Sequence, residues 1–183
     1  MTDEFDPVKA AESVSVVDQD DSDRIIPPPS DPMRVCRLIV REDYMVERRL
    51  TLRRWRSDWL MWTGPHWRKL TEQDVKAALY EFTEHAQYEG VDAKGEPKDC
   101  RWSPTRSKVA NLVDALEALT NTSDDMEAPE WVYSHRDDVY ARDVLAFSNV
   151  LLDVATREVM QHTPALFNTS SVPYEYSADA DEP

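Results

Sequence analysis

The chain has 183 residues, enough for one domain with tails, and 41% of them are hydrophobic, enough for a core. Its formal net charge of −15 argues against indiscriminate nucleic-acid binding, and no apolar run nears the roughly eighteen residues a membrane span needs. Its three glycines, Gly64, Gly90 and Gly95, open no G-x-x-x-x-G-K-S/T loop, so nothing lets backbone amides wrap a triphosphate and no Walker-type ATPase is expected.

Residues 1–26 are acidic and without clear periodicity, and they predict a disordered tail. Ile25 to Pro32 is a stiff polyproline-like lead-in, with Ser30 or Asp31 placed to cap the next helix and Pro32 in its first turn. Met33 to about Met45 reads as that helix. Val35, Leu38 and Ile39 share one face, and Arg34, Arg37 and Arg41 lie at helical spacing on the other side. Cys36 falls on the apolar face as a small buried thiol. With only Cys100 as a possible mate, no signal peptide and nothing else suggesting export, a soluble cytoplasmic protein is expected.

From Leu50 to Leu70 the pattern changes to period two. Leu52, Arg54 and Arg56 alternate with Arg53 and Trp55, Ser57-Asp58 reverses the chain, and Trp59–Trp62 returns. Thr63–His66 turns again before Trp67–Leu70, giving a small antiparallel meander. Thr71 caps a helix to about Tyr88, with Val75, Leu79 and Phe82 in its buried stripe. Gly90 to Arg101 reads as a polar loop. Ser103-Pro104 starts a third helix to about Thr120, carrying Val109, Leu112, Val113, Leu116 and Leu119, and an acidic loop follows to Glu130. Residues 137–143 are polar and of no definite form. Val144–Phe147 and Val150–Val154 are strands reversing at Ser148-Asn149. A short polar turn follows them. The rest stays extended through His162-Thr163-Pro164 and Val172-Pro173-Tyr174, ending acidic over about 170–183. The expected class is α+β: a small antiparallel sheet flanked by helices.

The order of these pieces resembles the helper domain that precedes the superfamily III helicase in phage, plasmid and poxvirus-type primase-helicases. The resemblance rests on the Arg54-Trp55 strand, the Trp62-Thr63-Gly64 turn and Trp67 before a helix. It rests further on Asn149-Val150-Leu151-Leu152-Asp153, on His162-Thr163-Pro164, and on Pro173-Tyr174-Glu175-Tyr176 with Ala180 four residues on. It spans about residues 27–183. The family carries Gly after the Asn of the strand pair, where this chain has Val150. The phosphate loop of the motor is absent, so a version ending before the ATPase is expected.

The charge is unevenly spread. Residues 1–31 net −7, residues 34–69 net +6, and residues 110–183 net −12. The positive block makes Arg53, Arg54, Arg56, Arg68 and Lys69, beside Trp55, the candidate nucleic-acid contacts: cations for phosphates and an indole for a base. Arg106 and Lys108 join them at a helix N-terminus. Alternation puts Arg54 and Arg56 on one face and Arg53 on the other, so a solvated face paired with the acidic segments is the competing reading. Most of the six Trp are expected in the core. His66, His85, His135 and His162 are scattered without ligand spacing, so no metal or other cofactor is implied, and His162 reads as a structural hydrogen-bonder. Asp18/Asp20 and Asp124/Asp125 have no strand to hold them as a two-metal pair.

The resemblance implies a non-catalytic docking domain of mobile-element DNA replication. It would contact a replicative helicase or primase subunit, or itself, with single-stranded DNA as a further candidate. Two rivals stay open: the non-motor part of a catalytic primase-helicase, and an acidic protein that imitates DNA.

Overall fold

A computed structural model of the chain describes residues 24–132 and 138–178. The expected disordered tail, His135 and the last five residues lie outside the described residues, except that Arg24, Ile25 and Ile26, assigned to the tail, are held. The Ile26 amide donates to Gln87 O (2.8 Å) and the Gln87 amide donates to Arg24 O (2.8 Å). Ile26 is buried in the main core, because an apolar side chain beside a packed cluster gains more by joining it than by staying solvated.

Helix α1 (Pro32–Asp43) starts where the sequence says. Asp31 Oδ1 accepts from the Arg34 amide (3.1 Å) and Pro32 occupies the first position, where its missing N–H costs nothing. Val35, Cys36 and Ile39 are its buried face. A two-residue hairpin follows, β1 (Met45–Val46) with β2 (Arg49–Leu50). The meander is β3 (Leu52–Trp55), β4 (Asp58–Trp62) and β5 (Trp67–Leu70), antiparallel in that order. Its first reversal is Arg56-Ser57, one residue earlier than expected. Both residues have positive φ (47° and 66°), the primed-turn geometry that matches strand twist. Gly64 (φ 100°) makes the second reversal, in a conformation that favours glycine.

Helix α2 (Glu72–Glu84) opens on a reciprocal cap: Asp74 N–H donates to Thr71 Oγ1 and Thr71 N–H donates to Asp74 Oδ2. Hydrogen bonds from the Thr71 hydroxyl, then from its amide, hold the Asp74 carboxyl below its ordinary value. The helix stops four residues before Tyr88, because the backbone of Gln87 is taken by the lead-in and by a hairpin. That hairpin, β6 (Gln87–Val91) with β7 (Pro97–Arg101), replaces the expected loop. It escaped a periodicity reading because most of its residues face water, so neither strand carries an apolar stripe. Helix α3 (Arg106–Thr120) is capped by Thr105 and so begins two residues after Pro104.

The C-terminal part is a second small unit of sheet. β9 (Val144–Ala146), β10 (Leu151–Asp153) and β11 (Val159–Met160) form one antiparallel sheet, and β8 (Glu130–Trp131) pairs with β12 (Leu166–Phe167). The stretch left without a form, 137–143, is described from 138 and holds one 3-10 turn, Ala141–Asp143. The Ser148-Asn149 reversal uses no positive φ, so Val150 sits there without strain. Asn149 then clamps the extended run: its Nδ2 donates to Tyr176 O (3.0 Å) and its Oδ1 accepts from the Tyr176 amide (2.9 Å). His162 Nε2 lies 2.9 Å from Phe147 O, the structural role read from sequence.

The meander is covered on both faces, and this positions everything else. Leu52 and Trp59 join Val75, Leu79, Val109, Leu112 and Leu116 in the helical core. On the other face Leu60 and Trp67 pack on Phe167 of β12, with Trp55 and Trp62 around them. Antiparallel sheets often leave one face to solvent, and this one does not. The architecture is α+β, with three helices and several small antiparallel sheets among the described residues.

Candidate functional site

Covering both faces decides the fate of the arginines. Arg53 is 4% exposed. Its Nη1 donates to Thr122 Oγ1 (3.0 Å), and its guanidinium lies over the Trp67 ring (5.3 Å). Arg54 pairs with Glu117 of α3 (3.1 Å), donates to Ser57 O, and lies over Trp59 (5.3 Å). Arg56 straps down the acidic loop: its amide donates to Asp124 Oδ1 (3.1 Å), its Nε to Asp124 O (3.0 Å) and its Nη2 to Met126 O (3.3 Å), and it pairs with Glu127. The 420 Å³ cleft beside Arg54 and Arg56 also holds Asp114, Glu117 and Asp124, so carboxylates outnumber cations there.

The other candidates are dispersed. Trp55 is half-buried under the edge of Phe167 (5.2 Å, 77°) with Arg56 over its own ring (4.4 Å), so it is not an open stacking platform. Lys69 pairs with Asp58 (2.5 Å), while Arg68 is exposed. Lys108 donates to Trp102 O and Ser103 O, closing the start of α3, and Arg106 is exposed beside it. The structure does not bring the eight side chains into one basic face.

Trp59, Trp67 and Trp102 are fully buried and the other three Trp are half-buried, which is the core use expected of them. Among the described residues no group of three or more His, Cys, Asp or Glu stands where it could hold a metal ion, and no helix is long and apolar enough to cross a membrane. Cys36 and Cys100 are both free. Burial pushes the Cys36 thiol up to about 12, and its Sγ donates to Leu112 O (3.2 Å). The thiolate is the reactive form, so native protein at pH 8 is expected to release one equivalent of thionitrobenzoate from a disulfide reagent, from half-exposed Cys100. A second equivalent should appear only in denaturant; two in the native protein would contradict this burial.

Among the described residues, two surfaces are left largely open by the fold. The first is the outer face of the C-terminal sheet. Leu145 stands opposite Leu152, and Leu152 opposite Val159, so one apolar row crosses three strands. Leu145 is 45% exposed, Val159 47%, and Val154, two residues on from Leu152, 49%. Val144, Ala146 and Leu151 face the other way into the core. The second surface is a groove of about 680 Å³ between α1 and the lead-in, lined on the helix side by Arg34, Arg37 and Arg41. The only hint of it in the sequence is the helical spacing of those three; its far wall exists only because Ile25 to Pro28 folds back beside the helix.

The protein-family description "D5 N terminal like" matches residues 41–183. No curated protein matches the chain.

Proposed function

Because the chain belongs to the D5 N terminal like family, the domain at the N-terminal side of D5-like primase-helicases, we propose that it is a non-catalytic docking domain of a mobile-element replication machine. It holds a replicative helicase or primase subunit through the outer face of its C-terminal sheet. The observation that carries this reading is the exposed row Leu145–Leu152–Val159 with Val154, on a sheet whose inner face is already filled. A sheet face that needs only one side for its own core has no folding reason to keep the other apolar, and contiguous exposed apolar patches mark interaction sites. The family supports a helicase as the partner, because its domain is the N-terminal one of D5-like primase-helicases. The absence of a phosphate loop from the sequence supports a role without nucleotide turnover.

The test is binding of the full chain to the superfamily III helicase of its own replication system, by titration calorimetry. Leu145→Thr with Val159→Thr keeps β-propensity and removes the apolar row. Affinity should fall about tenfold or more, the loss of about 1.4 kcal/mol or more, with an unchanged melting curve. Unchanged affinity in that variant, or a wild-type chain that only pairs with itself, overturns the reading.

A further inference from the structure

We propose that the groove between α1 and the N-terminal lead-in is a binding site for the phosphate backbone of a single-stranded nucleic acid, with Arg34, Arg37 and Arg41 as its contacts. The three occupy positions i, i+3 and i+7, so α1 presents them along one side of the groove. Among the described residues, no carboxylate lies in ion-pair range of Arg34 or Arg37, and Arg41 has only its neighbour Glu42, at 3.6 Å. The meander arginines are different: folding uses them, so releasing them to a ligand would cost stability. Cations kept exposed beside an open groove, in a chain with 36 acids against 21 bases, are available without that cost.

The groove's length and chemistry suit a strand. Seven residues of α1 advance about 10.5 Å, enough to set the three guanidiniums against two or three consecutive phosphates of one strand. Guanidinium forks match phosphate oxygens in pairs. The opposite wall includes Ile25, 54% exposed, and Pro27, which lacks an N–H, so it is an apolar surface against which base faces can lie. Glu89 is the one carboxylate in the lining. No aromatic side chain lines the groove, so the contact should be electrostatic and indifferent to sequence. The net charge of −15 opposes it from a distance, so affinity should be modest and fall steeply with salt. An acidic peptide would satisfy the same charges, but the family places this chain beside nucleic-acid machinery and favours the strand. The site lies almost wholly before residue 41, where the family match begins, and it does not depend on the sheet face as a docking surface.

The experiment is fluorescence polarisation of a labelled oligothymidylate titrated with the full chain, over about 50 to 200 mM salt. Three phosphate contacts predict a log–log salt slope of about −2 for a single strand. Arg34→Ala, Arg37→Ala and Arg41→Ala together should abolish salt-dependent binding. All three sites are exposed and Ala suits a helix, so the fold should survive, which a melting curve checks. Glu89→Gln should tighten binding. Leu145→Thr with Val159→Thr should leave it unchanged, so this proposal and the docking reading can fail separately. No binding by the wild-type chain, binding that survives the triple substitution, or equal arginine-dependent binding of polyglutamate would each overturn the proposal.

Discussion

Trp67→Ala is expected to lower stability by about 3–5 kcal/mol, the range for deleting a large buried aromatic. Domains of this size are stable by only about 5–15 kcal/mol, so a large part of the margin is at stake. The size of the effect follows from the position. Trp67 is 1% exposed, and its ring packs on Phe167 at 5.7 Å. Its Nε1 donates to Leu166 O (3.1 Å), and its amide donates to Asn168 O (2.8 Å). Asn168 returns the contact through Nδ2 to Pro65 O (3.0 Å), and Ser171 Oγ meets His66 Nδ1 (3.0 Å). One indole therefore joins the meander to the C-terminal sheets. The melting temperature should drop by roughly 10 °C, at about 2–4 °C per kcal/mol. Trp67→Phe keeps most of the volume and loses the indole donor, so it should cost much less, about 1 kcal/mol for the bond plus the smaller void. If thermal unfolding of the alanine variant matched wild type, the joint would lie elsewhere.

Arg53→Ala should cost roughly 2–3 kcal/mol, the scale of hydrogen bonds made by a charged group, with the packing of its stem added. A solvated, phosphate-binding arginine would behave in the opposite way: its removal would leave the melting curve alone and weaken oligonucleotide binding. Arg53 should show the stability loss without a change in salt slope once the comparison is made on folded protein. Arg53→Met, which keeps the stem, should recover part of the loss, because a buried cation exchanged for an apolar chain of similar volume is often close to neutral. Arg53→Lys should recover less, because an ammonium lacks the planar fork that reaches Thr122 and lies over Trp67. A denaturant midpoint for Arg53→Ala equal to wild type would return the meander to candidacy as a free basic face.

Much of the local structure is legible because its causes are local. Asp31 and Thr71 cap as expected, since each satisfies an amide three residues away. The strands of the meander follow from alternation. The misreadings also have physical causes. The β6–β7 hairpin is exposed and lacks a stripe, and α2 stops early because residues 24–26, about sixty positions back, claim Gln87. The first turn of the meander is expected at Ser57-Asp58 and falls one residue earlier, because neither Arg56 nor Ser57 is Gly or Asn and the site is held by Asp124 from the far side of α3.

The amino-acid order by itself determined the α+β class, the helical stripes, the missing phosphate loop and the motif succession that marks the family. Those properties are set by spacing and composition within a few residues. Only the tertiary structure decided which cations are available. Arg53 meets Thr122 across 69 positions, Arg54 meets Glu117, and Phe167 closes the second face of the meander. Meanwhile the lead-in returns beside α1 and leaves Arg34 and Arg37 open. Whether a charge is free depends on which carboxylate or ring folding brings within about 4 Å, and local pattern does not encode that distance.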